Sequence, residues 1–112
     1  MVTQRKLKRI QLIAALEVYS RPDNRLLGVL ADITVEGLGA CLREKLEPQH
    51  SYNLRLVLPA EILGVQALDM TGRCAWVLPA SNPDLFNTGF QFMDLPPDAM
   101  EVIEELIRRY QR

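Results

Sequence analysis

The chain has 112 residues, of which 48% are hydrophobic and 24% are charged, as in an ordinary soluble domain. This composition excludes wholesale disorder, collagen-like chains and coiled coils, and the length predicts a single domain over residues 1–112. Thirteen basic and fourteen acidic residues give a net charge of -1, which argues against a bulk nucleic-acid or membrane-surface binder.

The sequence also predicts a cytoplasmic protein without membrane insertion. No apolar run approaches the roughly 20 residues that a membrane-spanning helix needs. The stretch from Lys8 to Leu16 looks like the start of a signal peptide, but Gln11 interrupts it and no cleavage site follows cleanly. Two isolated cysteines, Cys41 and Cys74, are expected to be reduced and buried, because two cysteines alone make no disulfide framework.

Residues 1–9 are polar and basic and are predicted to form a flexible arm ahead of the β-structure. Side chains then alternate between apolar and polar from Ile10 to Val18, which is the signature of a strand. After a turn at Arg21-Pro22-Asp23-Asn24, further strands are predicted over Leu26–Ile33 and Leu38–Leu42.

The second half of the chain continues in the same way until the period of the pattern changes. A strand from Tyr52 is expected to end at Pro59, and Val65–Met70 with Arg73–Leu78 to form one long or broken strand. The last strand is Phe86–Met93, after which helical spacing predicts an amphipathic helix over residues 97–111. About six strands over residues 10–93 favour a closed antiparallel barrel or a sandwich.

No constellation of residues indicates catalysis. The one histidine, His50, lies in a turn-like segment without a partner at metal-ligand spacing, and Gly37-Leu38-Gly39 is not a phosphate-binding loop. We therefore expect no enzyme activity, no metal site and no cofactor.

Two polar segments could bind a ligand. In Arg5-Lys6-Leu7-Lys8-Arg9, planar guanidinium groups fit phosphate or the O6/N7 edge of guanine, although the segment could instead be a solvated basic leader. In Asp32-Ile33-Thr34-Val35-Glu36-Gly37, an extended backbone would project Asp32 and Thr34 from one face, and Gly37 would permit close approach of a ligand. The alternative for this second segment is a polar strand end with an Asx-type turn.

Together, the two segments resemble the PilZ family, whose pattern is Arg-x-x-x-Arg followed by Asp/Asn-x-Ser-x-x-Gly. Arg5, Arg9, Asp32 and Gly37 match this pattern, whereas Thr34 stands where the family usually has serine. The segments Gly72-Arg73-Cys74-Ala75-Trp76-Val77 and Gly89-Phe90-Gln91-Phe92 are similar to later strands of the family, so the resemblance spans nearly the whole chain.

The resemblance implies a six-stranded antiparallel β-barrel with a C-terminal α-helix that binds the bacterial second messenger cyclic di-GMP. It assigns Arg5, Arg9, Asp32, Thr34 and Gly37 to ligand binding. Lys8 and Trp76 are candidates for positions near the ligand, although the indole could instead line the barrel.

The function implied is a sensor or adaptor whose arginine arm closes over the nucleotide and changes a surface for an unidentified protein partner. The first alternative is a divergent barrel of the same shape that binds a protein without nucleotide. The second is a single-stranded nucleic-acid binder, which seven aromatic residues and a net charge of -1 disfavour.

Overall fold

In the computed structural model, the described residues are 10–112, so the expected basic arm at residues 1–9 lies outside them. Six antiparallel strands close into a barrel in the order β1-β2-β3-β6-β5-β4 and are followed by one helix. Their bounds are β1 Glu17–Ser20, β2 Arg25–Ile33, β3 Gly37–Leu42, β4 Ser51–Ile62, β5 Val65–Pro79, β6 Phe86–Met93 and α1 Pro97–Tyr110. The expected six-stranded barrel with a C-terminal helix is confirmed.

The predicted strand from Ile10 is wrong over most of its length, because β1 covers only Glu17–Ser20. Ahead of β1, Ile10 forms an isolated bridge with Ile33 and Leu12 forms another with Gln111. The segment from Ile10 to Leu12 therefore runs from the end of β2 to the end of the helix and does not pair along one neighbouring strand. Its apolar alternation arises because Leu12 and other side chains of this segment are buried between barrel and helix.

The predicted end of β4 at Pro59 is also wrong, since the strand continues to Ile62. Val57 pairs with Ala67 and Ile62 pairs with Val65, so Pro59 falls within an irregular stretch of the ladder. There the missing N–H of proline removes no regular rung.

Strand β5 is continuous through Thr71 and Gly72, where the sequence left open a break. A Cβ atom at Gly72 would lie 3.1 Å from Cβ of Phe90. Glycine at this position thus makes room for a buried phenylalanine, and the strand does not turn there.

Apolar side chains from the strands and the helix form one core. Helix α1 begins with Pro97, where proline costs no hydrogen bond because the first N–H groups of a helix have no partner within it. The helix carries Asp98 in its first turn and Arg108 and Arg109 in its last, and these charges favour the helix dipole. Its buried residues are Ala99, Val102, Ile103 and Leu106. Within residues 10–112, no helix has the length and apolar character to cross a membrane.

Candidate functional site

Strand β2 contains a bulge just before the predicted ligand-binding segment. Leu30 pairs with Ala40 and Asp32 pairs with Gly39, so Ala31 is an extra residue without a partner. Leu30 packs against the core and Ile33 is fully buried. Strict alternation from Leu30 would point Asp32 inward, and the bulge instead places Asp32 on the outer face of the barrel.

Strand β5 contains a second bulge of the same kind. Cys74 pairs with Phe90 and Trp76 pairs with Gly89, so Ala75 is the extra residue. Cys74 is buried, whereas Trp76 retains 38% exposure. The bulge moves the indole to the outer face, and of the two sequence-based alternatives for Trp76, barrel lining or surface, the structure shows the surface.

The two bulges place Asp32 and Trp76 on the same outer row of the sheet. Asp32 pairs with Gly39, Gly39 with Gly89, and Gly89 with Trp76, across strands β2, β3, β6 and β5. Directly paired residues in antiparallel strands point to the same face. We call these four residues the Asp32–Trp76 row; three strand spacings separate its ends, roughly 14 Å along the sheet.

The middle of the Asp32–Trp76 row has no side chains, and the indole lies over one of its glycines. A Cβ atom at Gly89 would lie 2.3 Å from Cε2 and 2.5 Å from Nε1 of Trp76. Only glycine leaves room for this approach, so Gly89 allows the ring to pack directly on the strand. One end of the row therefore has a carboxylate acceptor and the other has an aromatic face.

Thr34 lies in a tight turn after β2, and the expected extended segment ends at Ile33. The backbone N–H of Thr34 donates to the carbonyl of Gly37 at 2.9 Å, and its side-chain Oγ1 accepts from the backbone N–H of Glu36 at 3.0 Å. Thr34 is 8% exposed. Its hydroxyl thus fixes the turn that connects Asp32 to Gly37, which favours the turn alternative for this segment.

Gly37 allows two strands to approach each other closely. A Cβ atom at Gly37 would lie 2.2 Å from the backbone oxygen of Phe90 on β6. Strand β6 therefore makes a close contact with Gly37, the residue at which the sequence predicted the close approach of a ligand. Gly37 starts β3 and pairs with Gln91.

The predicted arm residues Arg5, Lys8 and Arg9 lie outside the described residues, but the chain that follows them meets the site. Ile10 donates to the oxygen of Ile33 at 3.2 Å, and Ile33 donates to the oxygen of Ile10 at 2.9 Å. Ile33 stands between Asp32 and Thr34 in sequence. The described chain therefore begins beside the segment of residues 32–37, which the sequence predicts to bind the ligand together with the arm.

A second outer row runs next to the first and was not predicted. Gly37 pairs with Gln91, and Gln91 pairs with Arg73 on β5. Gln91 and Arg73 are exposed. The sequence alone could not place Gln91 and Arg73 at the site, because Gly39 pairs with Gly89 and Gln91 pairs with Arg73 between strands that are far apart in the sequence.

The two cysteines occupy different environments. Both are free, and Cys74 is buried as expected, with burial raising the pKa of its thiol. Cys41 is only half-buried, which corrects the expectation that it lies in the core. Cys41 follows Gly39 by two residues on β3, so its side chain is on the outer face.

Among residues 10–112, no group of three or more histidine, cysteine, aspartate or glutamate side chains could hold a metal ion. His50 is exposed in a turn. The ion pair of Arg55 on β4 with Asp69 on β5, which lowers the pKa of that carboxyl, lies seven residues before Trp76 along β5.

The sequence profile of the PilZ domain matches residues 3–109. The chain belongs to the PilZ domain family. PilZ domains are ligand-binding or adaptor domains and not a catalytic family. A search of curated protein sequences finds no match.

Solved structures share this PilZ fold at low sequence identity. YcgR of Escherichia coli in complex with c-di-GMP is 18% identical, with a TM-score of 0.75, and the match covers 96% of this chain and 46% of that one. The inhibitor of motility MotI/DgrA of Bacillus subtilis is 14% identical, with a TM-score of 0.72, over 95% and 51% of the two chains. This chain thus spans about half the length of these two proteins.

The PilZ domain of YcgR from Escherichia coli, solved with c-di-GMP, matches over nearly its full length. It is 14% identical, with a TM-score of 0.60, over 96% of this chain and 97% of that chain. At these identities, the likeness shows the fold of this chain.

Proposed function

We propose that this PilZ domain is a cyclic di-GMP sensor or adaptor. Asp32 accepts from the N1 and N2 hydrogens of guanine, the face of Trp76 supports a base, and Arg5 and Arg9 close over the nucleotide from the arm. Thr34 and Gly37 complete the site by shaping the turn beneath it. Lys8 adds a positive charge near the phosphates.

The observation that carries the proposal is the Asp32–Trp76 row. An acceptor and an aromatic face, separated by two glycines, suit a ligand that presents both a donor edge and a flat ring. Guanine presents both. The complexes of YcgR with c-di-GMP, which share this fold, support the same ligand.

The pairing of Ile10 with Ile33 supports participation of the arm. Arg9 is bonded directly to Ile10, and consecutive Cα atoms are about 3.8 Å apart, so little chain separates Arg9 from the strand that carries Asp32. No long loop must close to bring the two motifs together.

The energy of binding must come from both motifs. A hydrogen bond to a charged group contributes ~1.5–3 kcal/mol. Each residue of the arm that becomes ordered on binding costs ~1–2 kcal/mol. If all five residues from Arg5 to Arg9 become ordered on binding, two arginine contacts offset only part of that cost, and net affinity depends on the contacts that the barrel makes.

The output of this sensor is a changed protein contact. Val29, Trp76 and Leu78 are exposed apolar side chains on the outer face that also carries the Asp32–Trp76 row. A nucleotide and an arm placed on this face would cover part of this apolar surface and add charge beside the rest. A partner protein can distinguish these two surfaces.

Calorimetric titration with cyclic di-GMP tests the proposal. The wild-type chain is expected to bind it, and Arg9→Ala and Asp32→Ala are each expected to weaken binding at least tenfold. Asp69→Ala is the matched control, since it removes an exposed carboxylate that lies seven residues before Trp76 on β5 and pairs with Arg55 on β4. Near-unchanged binding by either site variant contradicts the roles assigned to these residues. Absence of binding to the wild type contradicts the proposal and favours a protein-interaction module without nucleotide.

A further inference from the structure

Arg73 on β5 lies next to the Asp32–Trp76 row, on the same face of the barrel. Its partner Gln91 is two residues from Gly89 on β6, so the two rows are roughly 7 Å apart. Side chains at positions two apart on a strand share a face. The side chain of Arg73 therefore lies on the outer surface beside Trp76, at the end of the row opposite Asp32.

The positive charge of Arg73 is not neutralised by a neighbouring acid. No ion pair of Arg73 occurs among the described residues, whereas Arg25, Arg55, Arg108 and Arg109 each pair with a carboxylate. Residues 1–9, which the structure does not describe, contain no aspartate or glutamate in their sequence. An exposed arginine without an acidic partner remains available to an anion or to a base edge.

A neutral side chain holds Arg73 in place. Its Nη2 donates to Oε1 of Gln49, a residue with φ of 74° in the loop before β4. That loop is fixed to β5, because Gln49 donates to the oxygen of Cys74 at 2.7 Å and Cys74 donates to the oxygen of His50 at 2.8 Å. The guanidinium is thus oriented while its charge and its other donors stay free of carboxylates.

We infer that Arg73, oriented by Gln49, is a further nucleotide-binding residue of this site. It donates to acceptor atoms of the ligand, either the phosphate oxygens or O6 and N7 of guanine, opposite the acceptor Asp32. Gln91 lies between Arg73 and Gly37 and lines the same end of the site. The inference rests on the proposed function, since it adds a donor to the nucleotide site described above.

Calorimetric titration of cyclic di-GMP into the wild type and Arg73 variants tests this role. Arg73→Ala is expected to weaken binding at least tenfold. Arg73→Lys is expected to fall between the two, because lysine keeps the charge but lacks the planar fork. Arg55→Ala is the matched control: it removes an exposed arginine of the neighbouring strand β4 that pairs with Asp69, about 13 Å along the strand from Ser51, the partner of Arg73, and it should bind within twofold of wild type.

The outcomes separate this inference from the proposed function. If the wild type binds and Arg73→Ala binds within twofold of it, Arg73 has no role and the site stands without it. If the wild type does not bind, both are overturned. Should Arg73→Ala fail to fold by circular dichroism, Arg73→Lys provides the test, and wild-type affinity in that variant overturns the inference.

A titration with cyclic di-AMP assigns the contact, since this ligand keeps both phosphates and lacks O6. Equal weakening toward both ligands by Arg73→Ala places the guanidinium on a phosphate or on N7, which adenine and guanine share. Weakening toward cyclic di-GMP alone places it on the guanine edge.

Discussion

Asp32 and Trp76 share one outer row of the barrel although each would point inward if its strand alternated without interruption. Ala31 and Ala75 are the extra residues that change this, one on each side of the glycine pair Gly39 and Gly89. The barrel thus keeps side chains packed in or against the core on both sides of each bulge while it presents a carboxylate and an indole on its outer face. The core and the proposed site are built from the same short segments.

Replacement of Gly89 by alanine is expected to displace the indole and weaken cyclic di-GMP binding at least tenfold. The added Cβ would meet the ring at 2.3 Å, and the half-exposed ring can swing toward solvent to relieve the clash. Because Trp76 is the single tryptophan, fluorescence emission reports its position directly. Gly89→Ala should shift the emission maximum to longer wavelength.

Gly64→Asn is the control for Gly89→Ala. Gly64 lies in a hairpin turn with φ of 88°, where asparagine is less strained than other side chains and a Cβ meets no atom within 4 Å. Its emission and affinity should match the wild type. Unchanged emission and affinity in Gly89→Ala would show that the ring is not held by this glycine.

Cyclic di-GMP is expected to protect Cys41 from alkylation. Cys41 lies on the outer face about 7 Å along β3 from Gly39, whereas Cys74 is buried and burial raises the pKa of its thiol. At pH 8, iodoacetamide should therefore modify Cys41 first and Cys74 only on unfolding, since the thiolate is the reactive form.

Mass spectrometry of the two cysteine peptides, with and without saturating nucleotide, measures this difference. Several-fold slower modification of Cys41 in the presence of nucleotide is expected, with Cys74 as the internal reference. Equal rates of Cys41 modification would place the ligand away from this part of β3.

Thr34→Val is expected to destabilise the free protein by about 1 kcal/mol, the usual contribution of one hydrogen bond. Valine has a similar shape but offers no acceptor to the backbone N–H of Glu36. Thr34→Ser keeps the acceptor, supplies the usual residue of the family and should lose less stability and retain ligand binding. Urea unfolding at pH 7 measures the free energy of unfolding of both variants. Equal stability of Thr34→Val and wild type would mean that the turn does not need the hydroxyl.

Local patterns were sufficient to predict the strands β2, β3 and β6 and the helix, because alternation, helical spacing and turn residues are local properties. The first strand was misread, since Leu12 is buried against the helix end rather than in a regular ladder. The sequence predicts a strand end at Pro59 because proline cannot donate to a regular ladder. The irregular pairing of β4 with β5 that accommodates this proline cannot be seen in the local sequence. These errors share one cause, which is that register between strands is not visible in a short window of sequence.

The candidate site was predicted only where a motif names its residues. Asp32, Thr34 and Gly37 follow from the motif, but the hydroxyl of Thr34 serves the turn. Gly89 and Arg73 enter the site through pairings across β3, β6 and β5, which local sequence does not reveal. A bulge is also invisible to a count of alternating residues, so the exposed position of the indole could not be derived in advance.

Leu63→Asn is expected to stabilise the protein by about 0.5–1 kcal/mol, or a few degrees in Tm. Leu63 and Gly64 form the two-residue turn between β4 and β5, and both have positive φ, 50° and 88°. Such a turn favours Asn-Gly, whereas leucine is strained there and is 59% exposed, so it gains little from burial. Leu63→Ala is the control because it removes the same apolar side chain without adding a residue that tolerates this backbone. Thermal melting that finds asparagine no more stable than alanine would show that the turn carries no such strain.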